Sequence, residues 1–313
     1  MGRKLKEAER SPFSITSAIF FLCLLCVSLY LVSDFITSEK IKYSTILERE
    51  TSNGCCKGMK NVEYWGSLVK VGTELRLNSS EDCCQACKNT CRDGECTCNT
   101  WVFCGDVETC GSRFGECWLK KQADASSPIE HSSLPMWTSG MVFGKGEGII
   151  GMETSLGNLR IQLLAECSPQ SVGFIFKLAK FSLCGDCKFV RAESRGINWD
   201  NEGNHISNRR YGPPYAIIQG TLDALGMEPE IPKEERMKIR RGSVAWVGSG
   251  PEFFVSLANH HEWTSGHTVF GNVLPEDMWI AEKIANLPVS IQNWNGVEVS
   301  VLLDPVIISR LRK

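Results

Sequence analysis

A chain of 313 residues has room for about two domains, and 42% hydrophobic residues is ordinary for globular protein. Lys and Arg (34) nearly balance Asp and Glu (36), for a net charge of −2. That balance lacks the clustered positive field a phosphate-binding surface needs, so no nucleic-acid partner is expected.

The first apolar feature runs from Phe13 to Ser33, 21 residues without a charge. About 20 apolar residues cross the hydrocarbon core of a bilayer, whereas a cleaved signal peptide carries an apolar region of about 7 to 15 and a small-residue cleavage site. No such site follows Leu29, so residues 13–34 are read as an uncleaved transmembrane signal anchor. Arg3, Lys4, Lys6 and Arg10 precede it, and Asp34, Glu39, Glu48 and Glu50 dilute Lys40 and Lys42 after it. Basic flanks stay cytoplasmic, which predicts a type II protein: tail 1–12 in the cytosol, stem 35–52 and all that follows in the lumen. A span of this length suits the thinner bilayers of the endoplasmic reticulum and Golgi.

Of sixteen cysteines, two (Cys23 and Cys26) lie in the span and fourteen beyond it. Eleven crowd into residues 53–121: Cys55, Cys56, Cys83, Cys84, Cys87, Cys91, Cys96, Cys98, Cys104, Cys110 and Cys117. Outside the cytosol such a density predicts a disulfide framework, since a module this small cannot bury enough apolar surface alone. The alternative is zinc held by Cys83, Cys84, Cys87, Cys96 and Cys98, but no paired His follows at ligand spacing. Eleven is odd, so one sulfur must pair with Cys167, Cys184 or Cys187, or with another chain. Cys184-Gly-Asp-Cys187 reads as a static cross-link or turn rather than a redox motif, because no strand-to-helix context surrounds it.

Asn78-Ser79-Ser80 is a glycosylation acceptor, usable only on the lumenal side. Asn78 or Ser79 can also cap a helix opening with Glu81-Asp82, where early acids suit the dipole. Trp101-Val-Phe103 follows as a β-prone run. Ser79-Ser-Glu-Asp-Cys-Cys-Gln-Ala-Cys87 and Thr100-Trp-Val-Phe-Cys104 resemble the PAN/apple modules. The resemblance implies a small α+β domain that binds protein or carbohydrate, with the Cys-x-x-Cys on a helix facing the sheet.

Residues 122–147 are read as a linker, since Pro128 and repeated Ser break any periodicity. Beyond it, Ile149–Ser155 and Asn158–Leu164 alternate about Leu156-Gly157 as a hairpin. Pro169–Lys180 has Val172, Ile175, Phe176 and Ala179 on one helical face, with Pro near its start. Tyr215–Ile218, Ser243–Val247, Phe253–Leu257 and Val297–Leu303 are further β-prone runs, and Asp277–Leu287 is a second helix. Many short strands with two helices suggest a closed antiparallel barrel over 148–313, while periodicity alone supports a mostly β domain.

The segment Gly242–Val273 joins two apolar strands to Phe253-Phe254, Trp263 and His267-Thr-Val-Phe-Gly271. Upstream stand Phe189-Val-Arg191 and Ile217-Ile-Gln219-Gly220. In this order and spacing, from about Gly151 to Val306, the pieces resemble the cyclophilins, the peptidyl-prolyl cis-trans isomerases. The resemblance implies an eight-stranded barrel with a helix over each opening and no cofactor. It further implies Arg191 as the catalytic arginine and Gln219 as the group that orients it or holds a substrate carbonyl. Phe254 and Ile217 would wall the proline ring, with His267 at the pocket edge and Trp263 at the rim. His260 and His261 lack a carboxylate or thiol at ligand spacing, so no metal is expected with His267.

Departures from the family pattern bear on activity. Ala216 stands where a Phe lines the pocket, a loss of about 2 to 3 kcal/mol of apolar burial. Ile217 replaces Met, Thr264 replaces Leu, and Val247-Gly248 replaces an Ala-Asn pair. A Gly/Asn-rich loop between Pro251 and Phe253 is missing. About twenty extra residues lie between Arg191 and Gln219, and so long a loop is functional or disordered. Two functions follow: a weak or specialised prolyl isomerase acting on proline-containing segments of secretory or membrane proteins, or a cyclophilin-like module that holds such segments without turnover. A purely architectural ectodomain is the third.

Overall fold

Ser79 opens the first helix as its side chain requires: its hydroxyl accepts from the Asp82 N–H at 3.0 Å, and helix α1 runs Ser80–Lys88 with Glu81 and Asp82 in the first turn. The computed structural model describes residues 54–313 except 132–135, 183, 225–230, 235–236 and 264–265, together with isolated positions between 20 and 30. The tail, anchor and stem expected over 1–52 lie outside the described residues apart from those positions. Among the described residues no helix is long and apolar enough to cross a membrane.

Helix α1 lies on a five-stranded antiparallel sheet of β1 (Met59–Lys60), β2 (Ser67–Lys70), β3 (Thr100–Cys104), β4 (Cys117–Lys121) and β5 (Trp137–Met141), in the order β1-β5-β3-β4-β2. Its three cysteines are buried and each is a staple: Cys83 to Cys117, Cys84 to Cys56, Cys87 to Cys98. Cys91–Cys96 and Cys104–Cys110 complete the internal set. The sulfurs weighed for zinc are therefore all oxidised. The eleventh cysteine, Cys55, pairs with Cys167, and Cys184 pairs with Cys187 within a strand.

The linker expected over 122–147 is not one. Trp137–Met141 is paired on both sides, to β3 from Cys104↔Trp137 through Thr100↔Met141 and to β1 at Met59↔Ser139. Gln122 is buried and its N–H bonds Asn99 Oδ1 at 2.8 Å. The Ser- and Pro-rich stretch is local, and the β-prone Trp137-Thr-Ser-Gly-Met141 beyond it completes the sheet.

The second sheet contains β6 (Ile149–Thr154), β7 (Gly157–Leu163), β8 (Cys184–Glu193), β9 (Ile217–Ala224), β10 (Ser243–Trp246), β11 (Glu252–Ser256), β12 (Val269–Val273), β13 (Val289–Trp294) and β14 (Val297–Arg312). Its order is β6-β7-β12-β10-β11-β9-β8-β14-β13, and β6 also pairs with β14. Eight strands thus close an antiparallel barrel, and β13 hangs outside as a ninth. Closure removes the exposed edges an open sheet would carry. Helices α2 (Pro169–Phe181) and α3 (Met278–Ala285) turn Val172, Ile175 and Phe176, and Ile280, Ala281 and Ile284, into the core.

Residues 55–313 form one compact unit. Tyr64, Trp137 and Met141 of the disulfide-rich part share a hydrophobic cluster with Ile150, Phe174 and Phe176. The Lys57 N–H bonds the Glu166 carbonyl at 2.8 Å, and Lys88 pairs with the Glu166 carboxylate, whose burial pushes its pKa up.

Candidate active site

Strand register brings the predicted residues together. Opposite residues of an antiparallel pair share a face, and the pairings Arg191↔Gln219, Gln219↔Phe254, Phe254↔Ala245 and Ala245↔Val269 set one row across β8, β9, β11, β10 and β12. A bulge between Phe189 and Arg191 makes this possible. It adds one residue on β8, so Phe189 stays in the core while Arg191 turns beside Gln219. β9 comes so near β8 here that a Cβ on Gly220 would lie 2.3 Å from the Lys188 carbonyl oxygen, so only Gly fits after Gln219.

Around this row Ile217, Ile239, Ala245, Phe254 and Val269 form an apolar cluster separate from the barrel core, with Tyr215, Met237 and Trp263 packed against it. Phe254 meets His267 edge-on at 5.0 Å and Trp263 at 5.6 Å between ring centroids. His267 Nδ1 lies 3.0 Å from the Trp246 carbonyl oxygen, which requires the proton on Nδ1 and leaves Nε2 to the site. All six residues named from sequence, Arg191, Gln219, Ile217, Phe254, Trp263 and His267, converge on one surface.

The polar arrangement holds a partner that sequence reasoning missed. Arg191 Nη1 donates to Gln219 Oε1 at 3.1 Å, and its Nε and Nη2 both reach Glu193 Oε1, at 2.9 and 2.8 Å. The Glu193 side chain is 0% exposed and Arg191 13%. Glu193 also accepts from the Tyr215 N–H at 2.6 Å and the Ser300 N–H at 3.4 Å, tying the guanidinium to the segment before β9 and to β14. Residues two apart on a strand share a face, so Arg191-Ala-Glu193 carried this signal. A guanidinium presents five N–H donors. Three are engaged by Glu193 and Gln219, which leaves two.

Tyr215 is the second residue missed. Ala216 is buried with φ of 52°, while the Tyr215 ring lies 5.6 Å from Arg191 Cζ and 6.4 Å from the Trp263 ring. The aromatic absent at 216 is supplied one residue earlier. Trp294, at the end of β13, is the third, its ring 6.0 Å from Arg191 Cζ.

The extra residues between Arg191 and Gln219 are ordered and docked. Asp200 accepts from the Asn204 N–H at 2.7 Å, a bond that holds its pKa down. The Asn259 N–H bonds the Gly203 carbonyl at 2.7 Å, and Trp199 is buried 5.3 Å from His260. His260 in turn stacks on Trp263 at 3.8 Å and 6°, with Nδ1 2.7 Å from Glu262. Burial pushes the His260 pKa down, against the opposing pull of Glu262. The insertion thus buttresses the loop that carries Trp263.

A second segment covers the cluster from the other side. Glu234 caps α2, accepting from the Gln170 and Ser171 N–H groups at 2.9 Å each, and its own N–H bonds Thr268 Oγ1 at 3.0 Å. Val247–Glu252 closes as a tight turn, with the Val247 N–H on the Glu252 carbonyl at 2.8 Å, where the family's longer loop is missing. Thr264 lies outside the described residues.

A family model described as cyclophilin type peptidyl-prolyl cis-trans isomerase/CLD matches residues 149–308. Among solved structures the chain is similar to a cyclophilin type peptidyl-prolyl cis-trans isomerase of Cryptosporidium parvum, at 15% identity and a TM-score of 0.37, over 53% of this chain and 96% of that one. The structure of that isomerase in the presence of the dipeptide ala-pro is matched at 16% identity and 0.35, over 52% and 97%. The cyclophilin AquaCyp293 from Hirschia baltica is matched at 14% and 0.31, over 52% and 73%. No curated protein matches the chain.

Proposed function

Because the chain belongs to the cyclophilin-type peptidyl-prolyl cis-trans isomerase family over residues 149–308, we propose that it is a specialised prolyl isomerase in which Arg191 stabilises the twisted Xaa-Pro amide. Rotation about an amide costs about 18 to 20 kcal/mol because the nitrogen lone pair is delocalised into the carbonyl. A catalyst need only hold the twisted form better than either planar form. A guanidinium donating toward the proline nitrogen favours its pyramidal geometry and weakens conjugation. The observation that carries this reading is the row Arg191–Gln219–Phe254: a cation with two free donors beside an apolar cluster that can take a proline ring.

Glu193 sets the limits of that chemistry. It cancels much of the net charge of Arg191 and fixes its plane, so the effect on the substrate comes from directed N–H donors more than from a bare cation. The runner-up, a module that binds proline segments without turnover, draws on the same pairing and on Ala216 and the tight Val247–Glu252 turn, which leave less of the groove that would position a substrate. The test is acceleration of Xaa-Pro isomerisation in a short peptide by the oxidised full chain, against Arg191→Ala/Glu193→Gln. Acceleration lost in the double variant supports catalysis; peptide binding without acceleration supports the module.

The clients we propose are proline-containing segments of secretory or membrane proteins, met in the lumen of the Golgi or endoplasmic reticulum by a type II, membrane-anchored chain. Seven disulfides support the oxidising compartment, and Asn78 is exposed for glycosylation. The disulfide-rich part is read as PAN/apple-like, with a protein or carbohydrate ligand. A cleft of about 910 Å³ in that part, lined by Asn89, Thr90, Arg92, Lys121, Lys145 and Glu147 among others, is where such a ligand would be sought.

A further inference from the structure

Strand β13, outside the closed barrel, joins the barrel strand β14 in a hairpin that turns at Asn295-Gly296, where φ is 52° and 88°. Positive φ at both central residues is the tight-turn geometry that matches strand twist, and Asn293 Oδ1 accepts from the Gly296 N–H at 2.8 Å. This turn pairs Trp294 with Val297 on one face. Trp294 Nε1 donates to Gln292 Oε1 at 3.1 Å, which orients the indole. The hairpin therefore presents two apolar side chains, 38% and 41% exposed, of which Trp294 lies directly beside the arginine of the candidate site.

The shelf is neutral. Glu298 pairs with Asn293 on the opposite face, and the arginine that adjoins the shelf is already paired with Glu193. It offers a substrate contact area and shape, not charge. Consecutive Cα atoms are about 3.8 Å apart, and the indole is 6.0 Å from Arg191 Cζ. A residue one or two places from a proline bound at Arg191 reaches it.

We propose that Trp294 and Val297 form a subsite that selects an apolar or aromatic side chain flanking the proline. The proposal rests on the reading of Arg191, Gln219 and Phe254 as the proline site. It adds a specificity residue from a strand outside the barrel.

The test titrates the full chain with two peptide series, one varying the residue before proline and one the residue after, each with Gly, Leu, Phe and Asp. Affinity and the Trp294 indole N–H resonance are read together. Leu or Phe is expected to bind roughly three- to tenfold tighter than Gly in at least one series, with Asp no better than Gly and the Trp294 resonance shifting. Trp294→Ala should abolish the ratio, and Trp294→Thr, which keeps β propensity in the hairpin, should do the same. An unchanged Phe-to-Gly ratio in a folded Trp294 variant overturns the subsite and leaves the proline site standing. If no proline peptide binds or is turned over by the natural chain, the proline site falls and the subsite with it.

Discussion

Arg191 cannot be deleted by itself without a second effect. Its partner Glu193 has no exposed surface, and breaking a buried pair from one side costs about 3 to 5 kcal/mol because the remaining charge is uncompensated. Arg191→Ala is therefore expected to lower the urea-unfolding free energy by that amount. Arg191→Ala/Glu193→Gln should recover part of it, since Gln is neutral and its Oε1 keeps an acceptor for the Tyr215 N–H, while the longer Ser300 bond is lost. Equal stability of Arg191→Ala and the natural chain would show that the pair is not buried in solution. A separate residue-scale effect concerns His260, which burial holds neutral below its ordinary value near 6.5. The unfolded chain takes the proton first, so stability falls as pH drops through about 6.5 and keeps falling until the folded pKa is reached. Glu166 and Glu234, whose pKa burial raises, work in the opposite direction. The difference between the natural chain and His260→Phe, in urea midpoints from pH 7.5 to 5.5, isolates the histidine. A constant difference across that range would remove it as a pH-sensitive support of Trp263.

At the scale of elements, the 194–216 insertion is a buttress, and Trp199 is its anchor. Trp199→Ala is expected to cost about 3 kcal/mol or more and to speed hydrogen exchange at His260, whose N–H bonds the Ile239 carbonyl at 3.0 Å. Unchanged exchange there would mean the insertion does not support the loop. Strands β6, β7, β9, β10, β11 and β14 and both helices of the barrel domain were legible because their apolar periodicity is strong: Pro169–Lys180 is predicted and Pro169–Phe181 is observed. β5 was not, because the polar run before it hides a strand whose partners lie more than thirty residues earlier. β8 was not read as a strand, because its bulge at Arg191 breaks the alternation a strand reading relies on. That Arg191, Gln219, Ile217, Phe254, Trp263 and His267 lie near one another was readable from motif spacing. Glu193 was missed although its i, i+2 spacing from Arg191 carried the signal; Tyr215 and Trp294 were not readable, because each reaches Arg191 through tertiary contact.

For the whole molecule, the disulfide-rich part and the barrel belong to one compact unit joined by a cross-link and a common core. Cys55 and Cys167 are 112 residues apart, but the disulfides inside that interval shorten the loop the bond closes. Cys55→Ser/Cys167→Ser is therefore expected to cost about 2 to 4 kcal/mol, less than an open loop of that length implies. Calorimetry should show one transition moved down; two separated transitions in the natural chain would contradict the shared core. In the function proposed, this unit catalyses rotation about Xaa-Pro bonds through a guanidinium held by Glu193 and Gln219. Its most direct test is NMR exchange spectroscopy on a short Xaa-Pro peptide at equilibrium, with a small fraction of the oxidised full chain added. Exchange between cis and trans peaks that appears with the natural chain and vanishes with folded Arg191→Ala/Glu193→Gln is the predicted result. Exchange that persists undiminished in that variant, or never appears while the peptide binds, would contradict it.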